Sequence, residues 1–178
     1  MSPSPDSGPF ATSVRRFHPG EFDALERFSR KTPGVHRARL EWQARGRGLC
    51  LGAWLGEQPV GHVWLEWVPE TDGAAPRPLD CPRLVDLYVV PQLRSRRIGT
   101  WLIAAAERAA FERGYACVGL DVGTDNPRAH ALYLRRGYVD AGLGQYRISW
   151  PSVDAEGRPV IDGEECVYLV RRLCGPDA

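Results

Sequence analysis

What this chain has little of narrows its chemistry before any motif is considered. Its five cysteines, Cys50, Cys81, Cys117, Cys166 and Cys174, are odd in number and scattered, with no C-x-x-C pair and no histidine at ligand spacing. That pattern argues against a disulfide framework and a zinc site, and it leaves reduced thiols. An excess of either charge is also missing: 23 basic against 22 acidic residues give +1, so the electrostatic footprint of a nucleic-acid binder is absent. No apolar run reaches the length of a membrane span. Met1 to Pro9 is rich in Ser, Pro and Asp, with neither the basic start nor the apolar centre of a signal peptide, so a cytoplasmic protein is expected. There is no Walker loop, no G-x-G-x-x-G fingerprint and no internal repeat.

What remains is ordinary globular material, 43% hydrophobic and 25% charged, and 178 residues suit one domain. The expected division is a disordered leader over 1–10 and a folded domain over 11–174. Ser13 to Phe17 reads as a short strand. Glu21 to Arg30 and Val35 to Arg45 have helical apolar spacing, and Pro33-Gly34 breaks between them. Leu49 to Leu55 and Val60 to Trp67 read as the arms of a β-hairpin turned at Gly56 to Pro59. Pro69 to Pro82 reads as a long surface loop.

Leu84 to Val90 is a candidate buried strand stopped by Pro91. A helix starts near Arg97, carries Ile98, Trp101, Leu102, Ala105 and Ala109 on one face, and ends at Gly114. Ala116 to Val122 is the next strand, and this strand, helix, strand order implies two parallel strands joined by a crossover. Asn126-Pro127 is a helix-start signal, with Asn126 as cap, and Gly137 ends that helix. Tyr138 to Tyr146 and Glu165 to Leu173 read as last strands, with Trp150 to Gly163 as a long connection between them. The sum is an α/β (or α+β) fold, a mixed sheet of about seven strands flanked by about four helices.

The chemistry starts in Leu84 to Thr100. Arg94, Arg96 and Arg97 crowd the loop and first helical turn, where the helix dipole opposes cations by a few tenths of a kcal/mol each, roughly. Unfavourable local charge points to a ligand. Free N–H groups at a helix start, reinforced by guanidinium groups, suit phosphate or pyrophosphate, and Gly99 marks a close backbone approach.

Val89-Val90-Pro91-Gln92-Leu93-Arg94-Ser95-Arg96-Arg97-Ile98-Gly99 resembles the acetyl-CoA loop of GCN5-related N-acetyltransferases, whose pattern is Arg/Gln-x-x-Gly-x-Gly/Ala. Arg94 and Gly99 match, and Arg97 replaces the first glycine. Asn126 to Tyr138 (NPRAHALYLRRGY) is similar to the family's Asn-x-x-Ala-x-x-Leu-Tyr-x-x-x-Gly-Phe/Tyr segment. The resemblance implies the acyl-CoA N-acyltransferase fold, acetyl-CoA as co-substrate and no metal. It implies main-chain contacts from Leu87, Tyr88 and Val89 to the pantetheine arm, and a pyrophosphate held by Arg94, Ser95, Arg96, Arg97, Ile98, Gly99 and Thr100. It further implies Asn126, Ala129 and Tyr133 beside the cofactor, with Tyr133 as general acid.

Thioester aminolysis needs an amine to lose a proton and a thiolate to gain one. Tyr133 suits the second task. For the first, Asp86 is the leading candidate; Glu66 or a relaying water stand beside it, and His36, His62 and His130 are spare possibilities. Trp64 and Tyr88 are candidates to line an acceptor pocket, with core packing as the competing reading. Glu66, Asp72, Asp80 and Asp86 would favour a cationic amine such as an aminoglycoside or polyamine. The expected activity is acetyl transfer to a small-molecule primary amine. A protein or peptide amine, and a non-catalytic acyl-CoA-binding module on the same fold, are the alternatives. Because family members dimerise through late strands, Trp150 to Gly163 is a candidate cover for a homodimer partner or for the acceptor site.

Overall fold

A computed structural model describes residues 12–29, 34–67, 80–154 and 156–174. The expected leader and most of the Pro69–Pro82 loop lie outside the described residues. Eight strands and four α-helices are present among the described residues. The chain divides into two compact units: the described part of Met1–Leu65 with Asp86–Ala106, and Glu66–Val85 with the described part of Glu107–Ala178.

The first unit contains β1 (Thr12–Arg16), α1 (Phe22–Phe28), α2 (Val35–Ala44), β2 (Gly48–Leu55) and β3 (Gln58–Glu66) up to Leu65. It also takes β4 (Arg83–Val89) from Asp86 onward and the start of α3 (Ile98–Glu112). The strands are adjacent in the order β1-β2-β3-β4. β1 lies antiparallel to β2, Thr12 opposite Leu55 and Arg16 opposite Leu51. β2 and β3 are buried on both faces, so the consecutive Ala53 and Trp54, and Val63 and Trp64, are all inside, as are Phe17, Leu25 of α1, Leu40 of α2 and Ile98, Leu102 and Ile103 of α3.

One polar side chain fixes α2 in this unit. The buried Gln43 donates from Nε2 to the Phe17 carbonyl at 2.8 Å and accepts the Cys50 N–H at Oε1, also at 2.8 Å. Both are main-chain groups at the β1 and β2 ends, so an amide that would be costly to bury is satisfied twice. The face of α2 that carries His36 and Arg39 is held in register as a result.

The second unit contains the start of β4, β5 (Cys117–Gly123), α4 (Pro127–Arg135), β6 (Val139–Asp140), β7 (Tyr146–Val153) and β8 (Pro159–Arg172). Arg83 and Leu84 pair in parallel with Gly119 and Leu120, as the strand, helix, strand order implies. β5 runs antiparallel to β8 from Cys117–Arg172 to Gly123–Cys166. The buried Glu107 carboxylate receives Arg136 at 2.5 Å and Arg171 at 2.7 Å, tying the end of α3 to the ends of α4 and β8.

The late strands differ from the sequence expectation. Tyr138 to Tyr146 forms only the two-residue β6 before Gly142 and Gly144, both at positive φ, turn the chain away. Trp150 to Gly163, expected as a connection, is mostly strand: β7 and β8 pair from Tyr146–Cys166 to Val153–Pro159. Pro151 is tolerated because β7 pairs with β8 alone, and Pro159 because it is the first residue of β8, ahead of the stretch from Cys166 that pairs with β5. The hairpin turns at Asp154, whose carboxylate accepts the Glu156 and Arg158 N–H groups.

Candidate active site

The anion loop is built in the first unit from main-chain geometry. After β4, Val90 donates to the Val60 carbonyl at 3.0 Å, and a short 3-10 turn runs over Pro91–Leu93. Ser95 and Arg97 then adopt left-handed conformations, each at φ 64°. The first i to i−4 bond of α3 is Trp101 N–H to the Arg97 carbonyl, 3.0 Å. The N–H groups of Ile98, Gly99 and Thr100 therefore have no partner in the helix and face its N-terminal end. Arg94, Arg96 and Arg97 are exposed around them. Arg94 Nε donates to the Val89 carbonyl at 3.0 Å, which holds its guanidinium against the strand end. Leu87, Tyr88 and Val89 are half-buried on β4 just before the loop. Gly61 of β3 passes so close that a Cβ there would lie 2.8 Å from the Tyr88 carbonyl oxygen.

Asp86 is the first residue of β4 in this unit, and it is not a surface carboxylate. Its φ is 56°, left-handed, and its side chain is only 10% exposed. Oδ2 accepts Arg39 Nη1 at 2.5 Å and His62 Nε2 at 3.0 Å. His62, fully buried on β3, is walled by rings: Tyr88 stacks on it at 5.7 Å, while Phe28 and His36 present edges at 5.6 Å each. His36 Nε2 donates to the Ser29 carbonyl at 2.9 Å, and burial lowers its pKa below the usual imidazole value. Tyr88 thus partners His62 and Phe28, whereas Trp64, with no exposure, belongs to the core.

The second unit carries the other expected site residues. Asn126 caps α4, its Oδ1 accepting the Ala129 N–H at 3.1 Å, with Pro127 in the first turn. Tyr133 lies one face along, 8% exposed, its ring 5.7 Å from that of Tyr138. Its hydroxyl has no hydrogen-bond partner among the described residues, and burial pushes its pKa up to about 12, so it stays protonated at neutral pH. Glu66 is committed elsewhere: Oε2 takes two bonds from Arg83, at 3.0 and 2.7 Å, and the same guanidinium reaches Asp121 at 2.9 Å. That buried ion cluster reads as structural. Of the acidic residues expected to attract a cation, Asp80 is exposed and Asp72 lies outside the described residues. His130 is half-buried on α4.

Arg39 and Phe28 are the residues sequence reasoning missed. Arg39 is 47 positions from Asp86, and only the folding of α2 onto the sheet brings the two together. Among the described residues, no group of three or more His, Cys, Asp or Glu side chains is placed to hold a metal ion, and no helix is long and apolar enough to cross a membrane.

Comparisons with known proteins agree with this arrangement. A family model described as the acetyltransferase (GNAT) family matches residues 14–138. An uncharacterized N-acetyltransferase of Bacillus subtilis, YhfO, is 36% identical over 70 residues, 39% of this chain and 47% of that protein. The match thus spans about half the length of that curated relative. Among solved structures, the ribosomal-protein-S18-alanine N-acetyltransferase of Escherichia coli superposes with a TM-score of 0.66 at 17% identity, covering 94% of this chain and 99% of its own. The PaiA N-acetyltransferase of Thermoplasma acidophilum, in complex with coenzyme A, gives 0.65 at 14% identity over 91% of this chain and 99% of its own. At these identities the structures speak to the fold.

Proposed function

The chain belongs to the GNAT family of acetyltransferases, and on that premise we propose that it transfers acetyl from acetyl-CoA to a primary amine of a small molecule. The observation that carries this reading is the turn before α3. Left-handed Ser95 and Arg97 lead into three first-turn N–H groups that have no partner within the helix, ringed by exposed Arg94, Arg96 and Arg97. Such a cradle fits a pyrophosphate, because charge-assisted bonds from guanidinium groups add to the helix N-terminus. The coenzyme A held by the Thermoplasma acidophilum relative supports the same ligand.

When bound, acetyl-CoA supplies an activated acetyl thioester. Arg94, Ser95, Arg96, Arg97, Ile98, Gly99 and Thr100 hold its pyrophosphate, and the main chain of Leu87, Tyr88 and Val89 aligns the arm. Asn126 and Ala129, at the start of α4, contact the cofactor. Tyr133, kept protonated by burial and with its hydroxyl uncommitted, donates a proton to the departing sulfur. Asp86 serves the other side of the reaction, where the amine must lose its proton. The half-buried rings of Phe28 and Tyr88 beside that carboxylate favour an acceptor that arrives as a cation, such as a polyamine or aminoglycoside. The five free thiols support a reducing, cytoplasmic setting.

Isothermal titration calorimetry with acetyl-CoA tests the cradle directly. Wild type binds, and Gly99→Trp, which fills the first turn, abolishes the heat. A flat titration for wild type, or unchanged binding by Gly99→Trp, defeats the reading.

A further inference from the structure

We propose that His62 Nδ1 is the atom that takes the proton from the attacking amine, with Asp86 as the residue that positions and charges the imidazole for it. The inference rests on the acetyltransferase reading above and names the base that reading leaves open.

Three observations in the first unit converge. The carboxylate of Asp86 can only accept, so the 3.0 Å contact fixes the hydrogen of a neutral His62 on Nε2 and leaves Nδ1 as a bare lone pair. Nδ1 is buried and has no hydrogen-bond partner among the described residues. A buried nitrogen without a partner costs free energy, and an apolar residue would fill a purely structural role without that cost. Finally, Asp86 holds a left-handed backbone at φ 56° next to Leu87–Val89, and strain of this kind persists where surrounding contacts impose it and concentrates at working sites.

Together these form a carboxylate–imidazole pair with its basic nitrogen turned away from the carboxylate. In such a pair the carboxylate selects the tautomer and stabilises the imidazolium that forms. In the step itself, an N–H bond of the ammonium acceptor breaks and its proton reaches His62 Nδ1 through one water, since the buried nitrogen offers no surface for direct contact. The electron pair stays on the amine nitrogen, which becomes the nucleophile. His62 returns the proton to solvent after turnover. The titratable and charged groups that face this pair are Asp86 and Tyr88 from β4, and His36 and Arg39 from α2. Phe28 of α1, which presents its edge to the ring, adds no charge. Arg39 and the imidazole share the same Asp86 oxygen.

The experiment has three readouts on the full-length protein. Imidazole nitrogen-15 NMR of the ligand-free wild type should show His62 with hydrogen on Nε2 and a bare Nδ1; a proton on Nδ1 in the neutral ring overturns the assignment. With acetyl-CoA and a panel containing spermidine, an aminoglycoside and an alanyl peptide, His62→Gln should lower kcat/KM by about 10²-fold or more. The acid limb of its pH profile should vanish, while calorimetric acetyl-CoA affinity stays within twofold. Asp86→Asn, which preserves shape at the Nε2 contact, should move the acid limb of kcat/KM to lower pH, because the imidazolium loses its counter-charge. Full turnover and an intact acid limb in His62→Gln, or an unshifted limb in Asp86→Asn, overturns the assignment of His62 alone. Failure of wild type to bind acetyl-CoA instead overturns the acetyltransferase reading, and the NMR result then still decides the tautomer.

Discussion

Arg97 stands where the acetyl-CoA loops that this chain resembles carry glycine, and its backbone sits at φ 64°. A left-handed conformation costs a residue with a Cβ roughly 1–2 kcal/mol. Replacing it with glycine removes that cost but gives the unfolded chain extra freedom, about 0.5–1 kcal/mol in the opposite direction. The proper comparison is Arg97→Gly against Arg97→Ala, since both lose the same exposed guanidinium and only one relieves the strain. The glycine variant should be the more stable by about 0.5–1 kcal/mol. In a chain of this length that corresponds to roughly 1–4 °C in Tm. Scanning calorimetry and urea unfolding of the ligand-free variants read the difference. An alanine variant as stable as the glycine one, or more so, refutes the left-handed turn and with it the geometry that aims the Ile98, Gly99 and Thr100 N–H groups.

Other expectations follow from neighbouring features. Gly61→Ala forces a Cβ to within 2.8 Å of the Tyr88 carbonyl, so it should destabilise by about 1–3 kcal/mol in denaturant titrations. Asn126→Ala removes the α4 cap and should lower stability by about 1 kcal/mol, and calorimetry should show acetyl-CoA affinity falling with it. Stability should decline at both ends of the pH range, as read by Tm against pH. Burial lowers the His36 pKa below its unfolded value of 6.5, so the unfolded state binds the extra proton and stability is lost progressively as pH falls below that value. Burial raises Cys50 from 9.0 and Tyr133 from 10.0, each to about 12, so the unfolded state ionises first and stability is lost as pH rises from about 9 toward 12.

The parts of the molecule legible in the sequence are those whose signal is local. Asn126-Pro127 announces a capped helix because cap, first turn and apolar face lie within a few residues, and α4 starts there. The Leu84–Thr100 stretch shows strand, stop, basic loop and helix in one reading, and β4 and α3 follow it closely. The Asp86 cluster was not legible, because its members come from α1, α2, β3 and β4 and nothing in the spacing of Phe28, His36, Arg39 and His62 reveals that they meet. Trp150 to Gly163 was misread for a different reason. Proline and glycine there resembled loop punctuation, but an edge strand with one neighbour tolerates both.

The central claim is acetyl transfer to an amine, and turnover tests it most directly. Wild type mixed with acetyl-CoA and the amine panel should release free thiol in step with an acetylated amine identified by mass spectrometry. Tyr133→Phe should bind acetyl-CoA as wild type does while releasing thiol about 10²-fold more slowly. Binding of acetyl-CoA with no acetylated product from any amine in the panel would contradict the account and leave an acyl-CoA-binding module in its place.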